Sequence, residues 1–194
     1  MAGEAENSQS RRWLCKLLAG DHQAVAEFVD GYKEMVFLCC RTLGLRDDEA
    51  EDVAGETFLA AYKGLKRFRG RSELSTWLWR IAYCRAIDYL RRKRKYSHLL
   101  EEQDGQIADD RQQSPPVIAQ GKEREQIIWE TVSRLPRLWA MAVILHYREE
   151  KKIADIAKIM KIRQNTVKTY LFRARKKLKE IIGPALGGDV NVGE

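Results

Sequence analysis

The sequence predicts an all-α protein made of two small helical domains, a helical bundle and a helix-turn-helix, joined by a flexible acidic linker. Three observations carry that prediction. Apolar residues recur at spacings of three and four along nearly the whole chain, with no convincing strand and no internal repeat. One segment, Ser97 to Gln120, breaks the pattern with Pro115-Pro116, few large apolar residues and five acids against Arg111, a net charge of about -4. The length of 194 residues, 44% hydrophobic and 32% charged, suits two modest cores. The predicted division is residues 1–96, a linker at 97–120, a second domain at 121–183 and a disordered tail at 184–194.

In the first domain a short helix is expected near Arg12 to Leu18. Asp21 can cap the next, which turns Val25, Phe28, Val29, Tyr32, Val36 and Leu43 to one side and ends near Gly44. Another helix begins at about Asp48, with Ala54, Phe58, Ala61, Tyr62 and Leu65 inward. After Gly70, Ser72 or Ser75 can cap a long third helix that carries Leu74, Trp77, Leu78, Ile81 and Ala82 and runs into Arg91-Arg92-Lys93-Arg94-Lys95. Beyond the linker, Glu123 to Ser133 and Pro136 to Arg148 read as two helices, Pro136 being well placed at a start. Trp139, Val143, Ile144 and Tyr147 of the second are expected beneath the C-terminal unit.

That unit spans Ile153 to Lys179. Ile153, Ile156, Ala157 and Met160 make one apolar stripe, Lys161-Ile162-Arg163 a tight turn, and a second helix starts near Gln164. Val167, Leu171, Ala174 and Leu178 form its buried face; Gln164, Asn165, Lys168, Thr169, Tyr170, Arg173 and Lys176 surround the rest. Amides and hydroxyls pair with base edges, Arg bonds bidentately to guanine and Lys neutralises phosphate. From Lys161 to Lys179 there are eight Lys or Arg and no acid, the composition of a DNA-reading helix with salt-sensitive phosphate attachment.

Charge is segregated elsewhere as well. The formal net charge is +7, yet Asp47 to Glu56 holds six acids and no base, whereas Lys63 to Lys95 holds twelve bases against Glu73 and Asp88. Two surfaces meant for different partners follow. Along the third helix Trp77, Trp79, Tyr83 and Tyr89 alternate with Arg80, Arg85, Arg91 and Arg92, after the basic loop Lys66-Arg67-Phe68-Arg69-Gly70-Arg71. Stacking platforms mixed with cations suit single-stranded or distorted nucleic acid.

The segment from Glu49 to Lys95, EAEDVAGETFLAAYKGLKRFRGRSELSTWLWRIAYCRAIDYLRRKRK, resembles the sigma2 domain of the extracytoplasmic function (ECF) sigma factors, group IV of the sigma-70 family. Leu135 to Lys179 is similarly like their sigma4 domain, and the likeness runs from about Leu17 to Ile182. It implies a dissociable subunit that binds core RNA polymerase and directs it to promoters. Glu51, Asp52, Glu56 and Phe58 then fall in the motif that docks on the beta-prime clamp helices, and the sigma4 domain would meet the beta flap. Phe68, Arg69, Arg71 and Ser72 fall in the segment that engages the minus 10 element. Trp77, Arg80, Cys84, Arg85 and Asp88 would meet the opened strand, and Arg91, Arg92 and Arg94 its phosphates. Gln164, Asn165, Thr166, Lys168, Thr169, Tyr170, Phe172, Arg173 and Lys176 would meet the minus 35 element. The linker would thread toward the active-site and RNA-exit channel, and an anti-sigma protein is an expected partner. Gly55, Cys84, Lys152, Lys161 and Tyr170 depart from the residues usual at their positions.

The competing reading is a free-standing helix-turn-helix regulator, which leaves the acidic motif without a purpose. An enzyme on nucleic acid is disfavoured. His22, His98 and His146 are scattered, no carboxylate cluster accompanies them, and there is no phosphate-binding glycine loop. No catalytic residue, cofactor or metal site is therefore expected. Cys15, Cys39, Cys40 and Cys84 lack metal-ligand spacing and read as buried thiols. With no membrane-length apolar run and no signal-peptide pattern, a cytoplasmic location without membrane insertion is expected.

Overall fold

The computed structural model describes residues 16–104 and 129–182. Every element among them is helical: α1 (His22–Thr42), α2 (Asp47–Leu65), α3 (Leu74–Asp104), α4 (Arg137–Val143), a π-helical turn at Ile144–Arg148, α5 (Ile153–Met160) and α6 (Gln164–Ile182). Shorter helical pieces lie at 16–18 and 129–133. The expected helix near Arg12 is described only from residue 16. Cys15, residues 105–120 of the predicted linker, the start of the Glu123 helix and the tail lie outside the described residues.

Local chemistry sets the ends of α1. The Asp21 carboxylate accepts from the amides of Gln23 and Ala24, filling two of the donors a helix start leaves open. At the other end Gly44 takes φ +87°, and the Leu45 amide reaches back to the Cys40 carbonyl, a Schellman stop that only glycine adopts without strain. α2 opens on Asp47, Asp48 and Glu49, acids that complement its N-terminal dipole, and Glu49 accepts from the Arg46 amide at 2.9 Å.

α1, α2 and α3 pack as a three-helix bundle around Phe28, Val36, Leu43, Val53, Ala61, Leu65 and Leu78. α4, α5 and α6 enclose a second core of Met141, Leu145, Ile156, Ile159, Val167 and Leu171. The two cores are continuous, because α5 packs on α3 and α4 meets the end of α1.

Several expectations are corrected. Tyr62 and Tyr147, expected inside, are exposed: the Tyr62 hydroxyl reaches only the edge of the bundle beside Gly20, and Tyr147 meets the ring of His146 at the surface. Neither Ser72 nor Ser75 caps α3: the helix opens after Glu73, whose carbonyl accepts from the Trp77 amide, and Ser75 lies inside the first turn. α3 also runs to Asp104, eight residues into the predicted linker, because Leu99, Leu100, Glu101, Glu102 and Gln103 are good helix formers with no proline among them. Finally, the helix predicted to reach Arg148 gives way after Val143 to the π turn. Glu150 at φ 51° then reverses the chain before α5.

Candidate nucleic-acid and protein interfaces

Three faces can be built from these helices. The first is the outer side of α2, where Glu51, Asp52 and Glu56 are exposed around Gly55 and Leu59, the latter 59% exposed. A Cβ on Gly55 would meet nothing within 4 Å, so the glycine leaves a flat place among the acids. Phe58 points the other way, edge-on to Phe28 with ring centroids 5.7 Å apart, and supports this face from beneath.

Glu49, from the same acidic run, is 4% exposed and plays an internal part. Its carboxylate accepts from the Tyr89 hydroxyl at 3.2 Å and pairs with Lys93 at 2.9 Å. Burial alone would raise its pKa, but the Arg46 amide and the Lys93 ammonium outweigh that and hold it below the ordinary carboxylate value. Burial, reinforced by the Glu49 charge, raises Tyr89. The sequence reading missed this role, although the Arg46-x-x-Glu49 spacing of a helix start was there to be read. Glu56 meets Arg92 at 3.5 Å, so a candidate protein contact and a candidate phosphate contact share an ion pair.

The second face lies on α3 and the loop before it. Phe68 tilts onto Trp77 at 5.2 Å, and Trp77 leans on Gly64, where a Cβ would come within 3.0 Å of its ring. Trp77 is thus half-buried and held by α2. Arg80, Cys84, Asp88 and Arg91 follow it along one stripe at helical spacing, Cys84 half-buried and the others exposed. Asp88 lies 3.8 Å from Arg91. Arg69, Arg71, Arg85, Arg92 and Arg94 are also exposed, and Ser72 is half-buried.

Trp79 and Tyr83 are corrected here: neither is an open stacking platform. Trp79 is 0% exposed and Tyr83 is buried, and burial pushes the Tyr83 hydroxyl up to about 12. The covering residues lie far along the chain. The indole Nε1 of Trp79 donates to Glu149 at 3.1 Å, beside Lys151, which bonds Glu73 at 2.7 Å and Ser75 at 2.8 Å. The bond and the charge of Lys151 hold Glu73 below the ordinary carboxylate value.

The third face is the outer side of α6. Val167, Leu171 and Ala174 are buried, which leaves Gln164, Asn165, Lys168, Thr169, Phe172, Arg173 and Lys176 exposed. Phe172 is 65% exposed, and the Arg173 guanidinium lies 6.0 Å above the Trp139 ring, at the reach of a cation–π contact. Thr169 donates to the Asn165 carbonyl at 2.9 Å. Thr166 is half-buried, and Tyr170 is half-buried against the core rather than standing free among the polar residues.

Among the described residues no group of His, Cys, Asp and Glu is arranged to hold a metal ion, and no helix is long and apolar enough to cross a membrane. Cys39 and Cys40 are buried and burial raises both thiols, Cys40 to about 12, which makes them poor nucleophiles.

Comparison with known proteins places family models on both units: Sigma-70 region 2 matches residues 28–96 and Sigma-70 region 4 matches residues 125–178. The chain is 33% identical over 171 residues to the ECF RNA polymerase sigma factor SigW of Bacillus subtilis, covering 83% of this chain and 90% of that one. It is 32% identical to the RNA polymerase sigma-H factor of Pseudomonas aeruginosa, covering 92% and 96%. Among solved structures, the sigma factor RpoE of Bartonella quintana, in complex with the anti-sigma factor NepR, shares the fold. The TM-score is 0.62 at 22% identity, over 81% of this chain and 95% of that one.

Proposed function

The chain belongs to the ECF sigma factors of the sigma-70 family and is a promoter-recognising factor, and from that premise we propose how its three faces divide the work. Glu51, Asp52 and Glu56 dock on the polymerase clamp helices, with Leu59 as an apolar centre and Phe58 as support. Phe68, Arg69, Arg71, Ser72, Trp77, Arg80, Cys84, Arg85 and Asp88 engage the minus 10 element, and Arg91, Arg92 and Arg94 hold its phosphates. The exposed face of α6, from Gln164 to Lys176, reads the minus 35 duplex. The α1–α3 bundle and the α4–α6 unit act as the two domains, joined by the stretch of chain after Asp104, and the second domain also meets the beta flap.

The observation that carries this reading is the segregation of charge on one bundle. The acids of α2 and the Trp77–Arg91 stripe of α3 are set on adjacent helices tied by Glu49, Tyr89 and Lys93. A free-standing regulator has no use for an exposed acidic face on a unit that also carries a DNA-facing stripe.

Energetics favour a factor that works within a larger enzyme. Unstacking one DNA step costs about 1.4 kcal/mol, so opening about ten costs about 14 kcal/mol. A flipped base held in a pocket returns only about a few kcal/mol. Core polymerase supplies the rest; sigma selects the place, each good bidentate base contact discriminating by about 1–3 kcal/mol. On this reading the protein performs no chemistry of its own. An anti-sigma partner like the one in the RpoE complex is part of the same proposal.

Separable variants test the assignment. Asp52→Lys or Glu56→Lys should abolish binding to core polymerase while circular dichroism stays unchanged. Arg173→Ala should bind polymerase as the parent does and lose minus 35 discrimination by about 1–3 kcal/mol. Full polymerase affinity in the acidic-face variants would remove α2 from the interface.

A further inference from the structure

Arg173 stands on α6 with no acid to orient it. From Lys161 to Lys179 the chain holds no carboxylate, and Glu180, the one acid of α6, is drawn to Lys177 at 3.3 Å. Lys176, three positions from Arg173 and on the same side of the helix, repels it. Among the described residues no carboxylate pairs with the Arg173 guanidinium; its partner is the Trp139 ring, 6.0 Å from the guanidinium carbon to the centroid.

The two members of this pair differ in freedom. Trp139 sits in the first turn of α4, where its amide bonds the Pro136 carbonyl at 2.8 Å, and its half-buried ring packs on the core between α4 and α6. Arg173 is exposed, and an arginine has much rotamer freedom to lose when it meets a base. A fixed ring therefore restrains a mobile cation. It does so without using the atoms that read DNA: the ring face attracts the charge and takes none of the five N–H donors, whereas a carboxylate would occupy two of them. Arg173 is thus oriented with its fork still free for the O6 and N7 acceptors of a guanine.

We propose that Trp139 is a positioning residue for minus 35 recognition, its ring holding the Arg173 guanidinium ready for the base that Arg173 reads. The inference rests on the assignment of α6 to the minus 35 element. Trp139 acts through Arg173, so its effect falls on discrimination at one base pair. Attachment to phosphates by Lys168 and Lys176 carries no sequence information and does not depend on the ring. Exposed pairs of this kind contribute a factor of about two to five. A second such pair, Arg148 over Trp129 at 5.9 Å, involves no residue of α6 and supplies the comparison.

Full-length variants assembled with core polymerase test this by run-off transcription, on the promoter and on versions altered at single base pairs of the minus 35 element. Arg173→Ala identifies the base pair that Arg173 reads, as the one whose alteration no longer matters. There Trp139→Leu, which keeps apolar bulk and removes the ring, should lose about two- to fivefold of the parent's preference. Trp139→Phe should keep most of that preference and Trp129→Leu all of it. On the unaltered promoter Trp139→Leu should cost the parent the same factor and cost Arg173→Ala nothing. An unchanged preference in Trp139→Leu would overturn the proposal. So would a loss spread over every base pair, a loss shared by Trp129→Leu, or an equal cost in both backgrounds, each of which marks packing alone. Trp139→Met, equally without a ring, takes the place of the Leu variant if circular dichroism shows the latter unfolded. The free protein gives a separate reading: the Arg173 Nε–H signal, assigned by its loss in Arg173→Lys, should lie upfield of other exposed arginines through the ring current, and an ordinary position would refute the contact. Arg173→Ala discriminating every base pair as the parent does would instead refute the minus 35 assignment, shifted signal or not, and the role of Trp139 would fall with it.

Discussion

Glu49 and Lys93 form an ion pair of 2.9 Å that joins the buried start of the acidic helix to the basic Arg91–Lys95 stretch within α3. The Tyr89 hydroxyl and the Arg46 amide complete the shell around the same carboxylate. One internal acid thereby fixes how the acidic face of α2 and the Trp77–Arg91 stripe of α3 are angled to each other.

The first prediction concerns acid. The pKa of Glu49 is lowered by its partners in the folded chain, so its contribution to stability is present above the unfolded value, near 4.5, and is lost as pH falls through the lower folded value. Melting temperature should drop below about pH 4.5 more steeply in the parent than in Glu49→Gln. The variant, which still leaves Lys93 without its counter-charge, should cost about 1–3 kcal/mol at pH 7. Urea melts over a pH series read both effects, and parallel curves would remove Glu49 from that role.

The second concerns Gly44. At φ +87° any side chain is strained, by about 1–2 kcal/mol, and the Arg137 side chain must also shift to admit a Cβ. Gly44→Ala should therefore lower stability by at least that amount in denaturant titration. A neutral result would show that the end of α1 relaxes.

The third concerns the turn of the helix-turn-helix. Lys161 ends α5 at φ 55°, ψ 43°, with the Ile162 amide reaching back to the Ala157 carbonyl. Lys161→Gly should stabilise the chain by about 1 kcal/mol, raising the melting temperature by about 2–4 °C. DNA affinity should change little, since Lys161 lies outside the recognition face. A lower melting temperature would contradict the strain argument.

The fourth concerns Phe172, which stands 65% exposed on α6 without burying itself in the core. Phe172→Ala should leave thermal stability within about 0.5 kcal/mol of the parent and weaken binding to a minus 35 duplex. Apolar contact with a thymine methyl is the chemistry such a ring offers in the major groove. Unchanged DNA binding would remove Phe172 from the reading face.

Local features were legible in the sequence, because they depend on residues a few positions apart. Asp21 capping α1, Gly44 ending it, the tight turn at Lys161 and the buried Val167–Leu171–Ala174 face all follow from short spacings. Trp79 and Tyr83 were not. Whether an aromatic on a cationic helix stacks on bases or packs inside depends on what meets it, and the partner that Trp79 finds is Glu149, 70 positions away. The same limit applies to Tyr62, whose helical phase predicted burial but which lies at the bundle edge beside Gly20, 41% exposed. α3 overran its expected end because Leu99 to Gln103 keep their helical propensity next to a proline-bearing segment. Glu49 was counted among the surface acids because formal charge hides burial; only the fold brings Tyr89 and Lys93 to it.

Run-off transcription with purified bacterial core polymerase tests the central claim most directly. The template is DNA from upstream of this protein's own gene, transcribed with the parent protein, Glu56→Lys and Arg173→Ala. The account predicts a discrete transcript that depends on the parent, disappears with Glu56→Lys even at high concentration, and with Arg173→Ala weakens on promoters carrying the minus 35 element. No transcript with the parent, together with failure to co-elute with core polymerase and tight binding to the duplex alone, would contradict it.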